Sequence, residues 1–244
     1  MKFLYLAIFK IGLVMRVLFL TDSLGYPRVD GAGTSASDVW TYYVRDRLND
    51  CSNKFTFFFD MRPFRDTTSL LLDVRNHCLS YFPDVIVLQV GIVDCYPRSL
   101  KKAEFQILTR IPLLNRLTKL IVKRFYKSIV KNRNIAYVSL VDFEKNLKCL
   151  KELFGASKFI VLPIGEPCSK YRQKNPLIEY RVKKYNAIQK KLFGEDYKED
   201  LYKECDLERA YLADHHHLSK YGHQHVASRI LSYFAQFEKR DNSE

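Results

Sequence analysis

Three short stretches carry side chains suited to nucleophilic chemistry. Thr21-Asp22-Ser23-Leu24 supplies a hydroxyl, and Ala213-Asp214-His215-His216-His217 supplies a carboxylate three residues before an imidazole. Gly91-Ile92-Val93-Asp94-Cys95-Tyr96-Pro97-Arg98 adds a turn glycine, a carboxylate and a cation. A serine needs a base to take its proton, and a histidine held by a carboxylate is the usual solution. A spacing of three lets one turn lay Asp214 against Nδ1–H of His217, leaving Nε2 to face Ser23. The expected roles are Ser23 as nucleophile, His217 as base and Asp214 as the carboxylate that orients it. The cluster His215, His216, His217, His223 and His225 raises a metal site as the rival. Three adjacent imidazoles cannot all point one way, and no cysteine or carboxylate pair completes a zinc pattern. The expectation is no metal and no cofactor. Cys95 reads as a packed small residue, and Trp40 as a core aromatic.

Such residues must be held at one edge of a scaffold. Short apolar runs alternate with helical patterns, the rhythm of a parallel sheet covered on both faces. Strands are expected at Arg16–Thr21, Lys54–Phe59, Asp84–Val90, Ile135–Leu140 and Lys158–Pro163. Helices are expected at Ser37–Leu48, Ser69–Tyr81, Asp142–Phe154, Leu177–Phe193 and Lys220–Phe237, with Asp142 capping the third. The expected fold is a three-layer α/β/α sandwich with a five-stranded parallel sheet of flavodoxin-like order. Ligands of such sheets bind outside the carboxyl ends of the strands, where the three stretches fall.

The 244 residues suit one domain with a sizeable core, and 47% hydrophobic content excludes a largely disordered chain. Six cysteines without a C-x-x-C pair point to neither a zinc knuckle nor a disulfide framework, and reduced thiols fit a cytoplasmic protein. Phe3 to Leu20 is mostly apolar, but Lys10 and Arg16 interrupt it, so a span of ~20 apolar residues is missing. Met15 opens a tidier start. Residues 1–14 therefore read as an extension, a misassigned start or a membrane-touching segment, and residues 15–244 as the domain.

Asp22-Ser23-Leu24, the Gly91-x-x-Asp94 loop and Asp214-x-x-His217, in that order, resemble the SGNH/GDSL hydrolase family over about residues 15–237. The resemblance implies a five-stranded α/β/α fold and a Ser23, Asp214, His217 triad. It also implies an oxyanion and substrate site drawn from Ser23, Asp66, Gly91, Asp94 and Arg98. The implied activity is ester cleavage on an acylated carbohydrate, with transfer to a sugar hydroxyl as the alternative. The string Gly91 to Arg98 resembles a branch associated with bacterial surface-polysaccharide biosynthesis. Three positions depart from the family. Thr21 stands in place of a glycine, and Arg65-Asp66-Thr67-Thr68 occupies the second block without its glycine. Val93 replaces an asparagine whose side chain donates to the oxyanion, a loss worth roughly 2.7–4 kcal/mol in the transition state. Arg98 is the candidate substitute, a clamp for an anionic group, or a partner in a structural salt bridge. A catalytically impaired glycan-binding protein is the reading of a different class.

The net charge of +13 is uneven. Ten Lys/Arg face Glu104 alone between Lys101 and Arg133, and eight face Glu179 alone between Lys170 and Lys191. Leu113, Leu117, Leu120, Ile121, Phe125 and Ile129 follow helical spacing, interleaved with Arg116, Lys119, Lys123, Lys127 and Lys131. A core-facing helix with a basic outer face is the simplest reading. Contact with an anionic membrane, by Lys119, Lys123, Arg124, Lys127 and Lys131, is the second. Nucleic acid is not expected, because no recognised motif accompanies the charge.

Overall fold

A computed structural model describes residues 14–28, 34–51 and 54–241, so most of the expected 1–14 extension lies outside the described residues. Four strands form one parallel sheet: β1 (Met15–Thr21), β2 (Phe55–Met61), β3 (Val85–Gln89) and β4 (Lys158–Val161), in the order β2-β1-β3-β4. The central strands are near-continuous Val, Leu, Ile and Phe, as strands buried on both faces must be. Ten α-helices are described: α1 (Trp40–Cys51), α2 (Thr67–Asn76), α3 (Ile92–Cys95), α4 (Lys102–Arg110), α5 (Pro112–Arg133), α6 (Leu140–Leu153), α7 (Ser169–Lys174), α8 (Ile178–Phe193), α9 (Leu207–Ala210) and α10 (Lys220–Asp241).

Alternation along the strands divides the core into two. Leu18, Leu20, Ile86 and Leu88 face α2, α6 and α8, where Leu70, Phe143, Leu147 and Val182 close over them. Val17, Phe19, Val85 and Val87 face α1 and α10, where Trp40, Val44, Val226 and Ile230 do the same. A fully buried side chain of this size contributes about 1.5–3 kcal/mol. A one-residue slip of β1 would therefore exchange its two buried sets between differently shaped cores.

The expected strand at Ile135–Leu140 does not form. Asn134 ends α5 in the left-handed region (φ 45°), and Ile135 makes one antiparallel bridge, to Arg98. The carbonyls that a ladder would use are taken instead by the Arg98 N–H and Arg181 at Ile135, and by the Tyr185 hydroxyl at Val138. Leu140 already belongs to α6, capped by Ser139, whose Oγ accepts from Asp142 N–H at 3.1 Å; Asp142 is not the cap. On the outer side of β4, a single parallel bridge from Val161 to Tyr197 stands where a fifth strand would lie. The expected helix over 69–81 is also interrupted at His77, beyond which Cys78–Tyr81 forms a 3-10 turn.

The largest difference lies in α5. Leu113, Leu117, Leu120, Ile121 and Phe125 are exposed, and only Val130 in its last turns is buried. The helix therefore does not face the core over most of its length. It kinks at Phe125 (φ −117°, ψ 19°), and α4 packs against it.

Candidate active site

β1 delivers Ser23 to the carboxyl edge of the sheet. The chain leaves the strand at Thr21, and Ser23–Gly25 forms a 3-10 turn whose first N–H groups are capped by the Asp22 carboxylate, which accepts from Leu24 N–H at 2.9 Å. As the first residue of that turn, Ser23 keeps its own N–H out of the turn's hydrogen bonds. The start of α1 fixes the loop from behind. The Trp40 indole donates to Leu24 O and to Gln89 Oε1, both at 3.1 Å, and the Thr41 hydroxyl donates to Gly25 O at 3.0 Å. Thr21 fits at this turn because Gly25 lies against it: a Cβ on Gly25 would sit 2.2 Å from Thr21 Oγ1.

His217 comes from the loop before α10. A bridge between Tyr211 and Leu218 closes this loop, and Leu212 N–H donates to His217 O at 2.8 Å. Asp214 then organises the interior. One carboxylate oxygen accepts the backbone N–H groups of His216 (3.1 Å) and His217 (3.0 Å), while the other lies 2.5 Å from His217 Nδ1. Although half-burial works against the charge, these bonds and the neighbouring imidazoles hold the Asp214 carboxyl well below the usual carboxylate range. His217 Nε2 lies 3.0 Å from Ser23 Oγ. With Nδ1–H assigned to Asp214 by this pairing, Nε2 carries the lone pair toward the serine. The structure thus gathers Ser23, His217 and Asp214 into one hydrogen-bonded line. His216 lies beside His217 on the cavity wall but does not reach Ser23; it stacks on Tyr171 at 5.9 Å, and burial lowers its pKa to about 4. His223 is buried against Trp40 N–H, and His225 pairs with Leu201 O.

A cavity of about 310 Å³ opens over Ser23, lined by Arg28, Phe64, Val93, Tyr96, Arg98 and His217 among others. Two of these residues were not singled out from sequence. Arg28 Nη1 donates to His217 Nε2 at 2.8 Å, sharing that atom with the serine. Its only local signal was a cation five residues beyond Ser23. Phe64 is 85% exposed and holds φ 60°, in the loop after β2. A bulky residue with positive φ is uncommon and costs about 1–3 kcal/mol, and nothing in the local pattern announces it. Val93 reaches the cavity wall as an apolar side chain, so it donates nothing there. The Arg98 guanidinium is sandwiched between the Tyr96 and Tyr137 rings (4.5 and 4.4 Å). Among the described residues no carboxylate pairs with it, which removes the salt-bridge reading, and its buried Nε has no partner.

Asp66, Gly91 and Asp94 do not line this cavity; they shape it from behind. Asp66 caps α2 through Ser69 N–H at 2.9 Å and pairs with Lys102. Gly91 (φ 121°) turns the chain from β3 into α3, where a Cβ would meet Ile164 Cδ1 at 2.6 Å. Asp94, fully buried, accepts from Thr67 N–H (2.9 Å) and the Thr67 hydroxyl (2.6 Å), tying α3 to the start of α2. Burial pushes both Asp22 and Asp94 up to about 7, and their mutual repulsion adds to the rise at Asp22.

Two groups of donor atoms are close enough to hold an ion. In Asp214, His216 and His217, a metal would have to displace the bond between Asp214 and His217 Nδ1. In Asp60, His77 and Cys78, the carboxylate is already engaged by Arg62 and Arg65, and burial raises the thiol well above its ordinary value. Neither group is poised as an open site.

No family model matches this sequence, and no curated protein matches it. Solved structures do match in fold. A lipase/acylhydrolase from Enterococcus faecalis superposes with a TM-score of 0.63 at 14% identity, covering 90% of this chain and 95% of that one. Axe2, an acetylxylan esterase from Geobacillus stearothermophilus, gives 0.61 at 18% identity over 92% and 95%. The psychrotrophic esterase EstA from Pseudoalteromonas gives 0.56 at 10% identity over 92% and 98%. The architecture is thus a parallel sheet flanked by helices, shared with these solved structures as a fold, with four strands among the described residues.

Proposed function

We propose that this protein is a serine-dependent ester hydrolase acting on an acylated carbohydrate. One observation carries the reading: Ser23 Oγ, His217 and Asp214 stand in line at 3.0 and 2.5 Å, with the imidazole lone pair toward the hydroxyl. In this reading Ser23 Oγ attacks the ester carbonyl while Nε2 takes its proton, and Asp214 stabilises the imidazolium that forms. The alcohol leaves with that proton. Water, or a second sugar hydroxyl, then gives its proton to Nε2 and releases the acyl group from Ser23. Ser23 N–H faces the developing oxyanion, and Arg98 supplies the charge that Val93 does not. Phe64 and Tyr96 offer aromatic surfaces for a sugar ring. The acetylxylan esterase among the fold neighbours supports the substrate class. The Gly91 to Arg98 string supports a place in bacterial surface-polysaccharide assembly, and unpaired thiols at Cys78, Cys95 and Cys168 support a cytoplasmic setting.

Val93 favours a second reading, a glycan-binding protein that has lost turnover. A fluorophosphonate probe separates the two. The esterase reading expects labelling of wild type that disappears in Ser23→Ala and His217→Ala but persists in His215→Ala. An unlabelled wild-type protein that binds acetylated oligosaccharide would leave the binding reading standing alone. Release of acetate with and without a second sugar acceptor distinguishes hydrolysis from transfer.

A further inference from the structure

The helix pair α4–α5 shows an unpartnered apolar face beside a basic one. α4 is tied to the rest of the fold by Lys102, which pairs with Asp66, and α5 by its portion after the kink. The Tyr126 hydroxyl meets Tyr96 Oη (3.1 Å) and Pro97 O (3.3 Å), and Arg133 donates to Ser99 O (2.8 Å) and pairs with Glu104. Before the kink, Leu113, Leu117, Leu120 and Ile121 recur at the three- and four-residue spacing of one helical face, and all are exposed, Leu113 by 70%. Ile107 of α4 is exposed too. On the helical wheel Arg116 and Lys123 flank that face on one side and Arg124 falls within it, while Lys127 and Lys131 follow beyond the kink. The other side of α5, with Asn115, Thr118 and Val122, turns inward over a cavity of about 330 Å³. Tyr96 and Arg98 line both this cavity and the one over Ser23.

We infer that the α4–α5 pair docks this protein on an anionic lipid bilayer. Large contiguous apolar patches on a soluble surface mark interaction sites. The charge decides which occupant fits. Ten Lys/Arg against one Glu between residues 101 and 133 leave an excess of nine positive charges, of which one, Lys102, is paired with Asp66. Two copies meeting through this face would oppose those charges, whereas an anionic surface neutralises them and accepts the leucines between its headgroups. Docked in this way, the cavity under α5 and the Ser23 cavity share one wall near the membrane. If the proposed ester chemistry is right, that arrangement suits an amphiphilic ester whose apolar part lies under α5.

The test uses the full chain with vesicles of phosphatidylcholine alone or with phosphatidylglycerol at three parts in ten. Co-sedimentation should be at least tenfold stronger with the anionic vesicles at low salt and should weaken at physiological salt. The double variant L117S/L120S and the charge variant R116Q/R124Q/K127Q/K131Q should each lose at least tenfold in binding. Both leucines are exposed, so folding should survive, and thermal midpoints check this. Turnover of soluble p-nitrophenyl acetate should stay unchanged in L117S/L120S, and that readout belongs to the esterase proposal alone. A protein that docks but cleaves no ester would end the esterase reading and leave docking intact. Equal binding to both vesicle types, no binding at low salt, or undiminished binding by folded variants would overturn docking. So would a wild-type dimer that L117S/L120S converts to monomer.

Discussion

Replacing Asp214 by Asn isolates what the carboxylate does for the imidazole. The asparagine oxygen can keep both backbone N–H groups, which donate to one carboxylate oxygen at 3.1 and 3.0 Å. Its NH2 must then take the place of the oxygen now 2.5 Å from His217 Nδ1. An amide NH2 only donates, so Nδ1 becomes the acceptor and the ring proton moves to Nε2. Nε2–H then faces two groups that had donated to it, Ser23 Oγ at 3.0 Å and Arg28 Nη1 at 2.8 Å. The serine has lost its base. Restoring the productive tautomer sacrifices that hydrogen bond and turns Nδ1–H against the amide NH2, about 1–3 kcal/mol. The imidazolium also loses its counter-charge: at an effective dielectric near 20 and about 2.5 Å, Coulomb's law gives roughly 6–7 kcal/mol. Asp214 is about one-third exposed, so solvent screens about half of this, leaving about 3 kcal/mol. Together these remove about 5 kcal/mol, or 10³- to 10⁴-fold in kcat. The assay is p-nitrophenyl acetate turnover from pH 6 to 9, beside a thermal melt. The midpoint should move little, because the backbone bonds of the loop survive. A kcat loss below tenfold in a folded variant would refute the reasoning and remove Asp214 from the proposed mechanism.

Three further perturbations probe the surroundings. Val93→Asn places an amide on the cavity wall at nearly constant volume and should raise ester turnover about tenfold or more if one oxyanion donor is missing; a fall would mean that the pocket is built around the apolar side chain. Arg28→Gln removes a cation beside the atom that becomes positive during proton transfer, so turnover of a neutral ester should rise about 3- to 30-fold while that of an anionic ester falls. Equal losses on both esters would instead make Arg28 a stabiliser of the transition state. Asp22→Asn changes the pH dependence of stability. Burial raises the Asp22 pKa from 3.8 to about 7, so between those values the folded state binds the extra proton and the wild-type side chain loses stability as pH rises. His216 and His223, lowered to about 4, act the opposite way over about pH 4 to 6.5, since only the unfolded chain charges them. The variant's stability, measured by urea melts at pH 4.5 and 7.5, should therefore climb more steeply with pH than that of wild type, by up to about 3 kcal/mol. Parallel curves would show that Asp22 titrates normally.

The sequence by itself determined whatever rests on local pattern. A run such as Val-Leu-Phe-Leu in β1 has no stable place except between two covering layers, and the residues after it must emerge at the sheet edge. Asp214 and His217 could be paired from their spacing, because one turn suffices to join them. The third expected strand, β3, and the helices α6, α8 and α10 followed from periodicity in the same way, to within a few residues. Tertiary structure alone decided which groups share a wall with Ser23. Arg28 and Phe64 reach the cavity through loop conformations, one of them at positive φ, that no short-range pattern specifies. Asp66 and Asp94 carried the right residue type but were spent behind the wall, on the backbone of α2. Residues 135–140 had strand composition, yet Arg98, Arg181 and Tyr185 took up their carbonyls before a neighbouring strand could. In α5 the spacing of Leu113, Leu117 and Leu120 fixed a helix with an apolar face. Periodicity states that such a face exists; only the packing of the other elements states whether anything covers it, and here nothing among the described residues does.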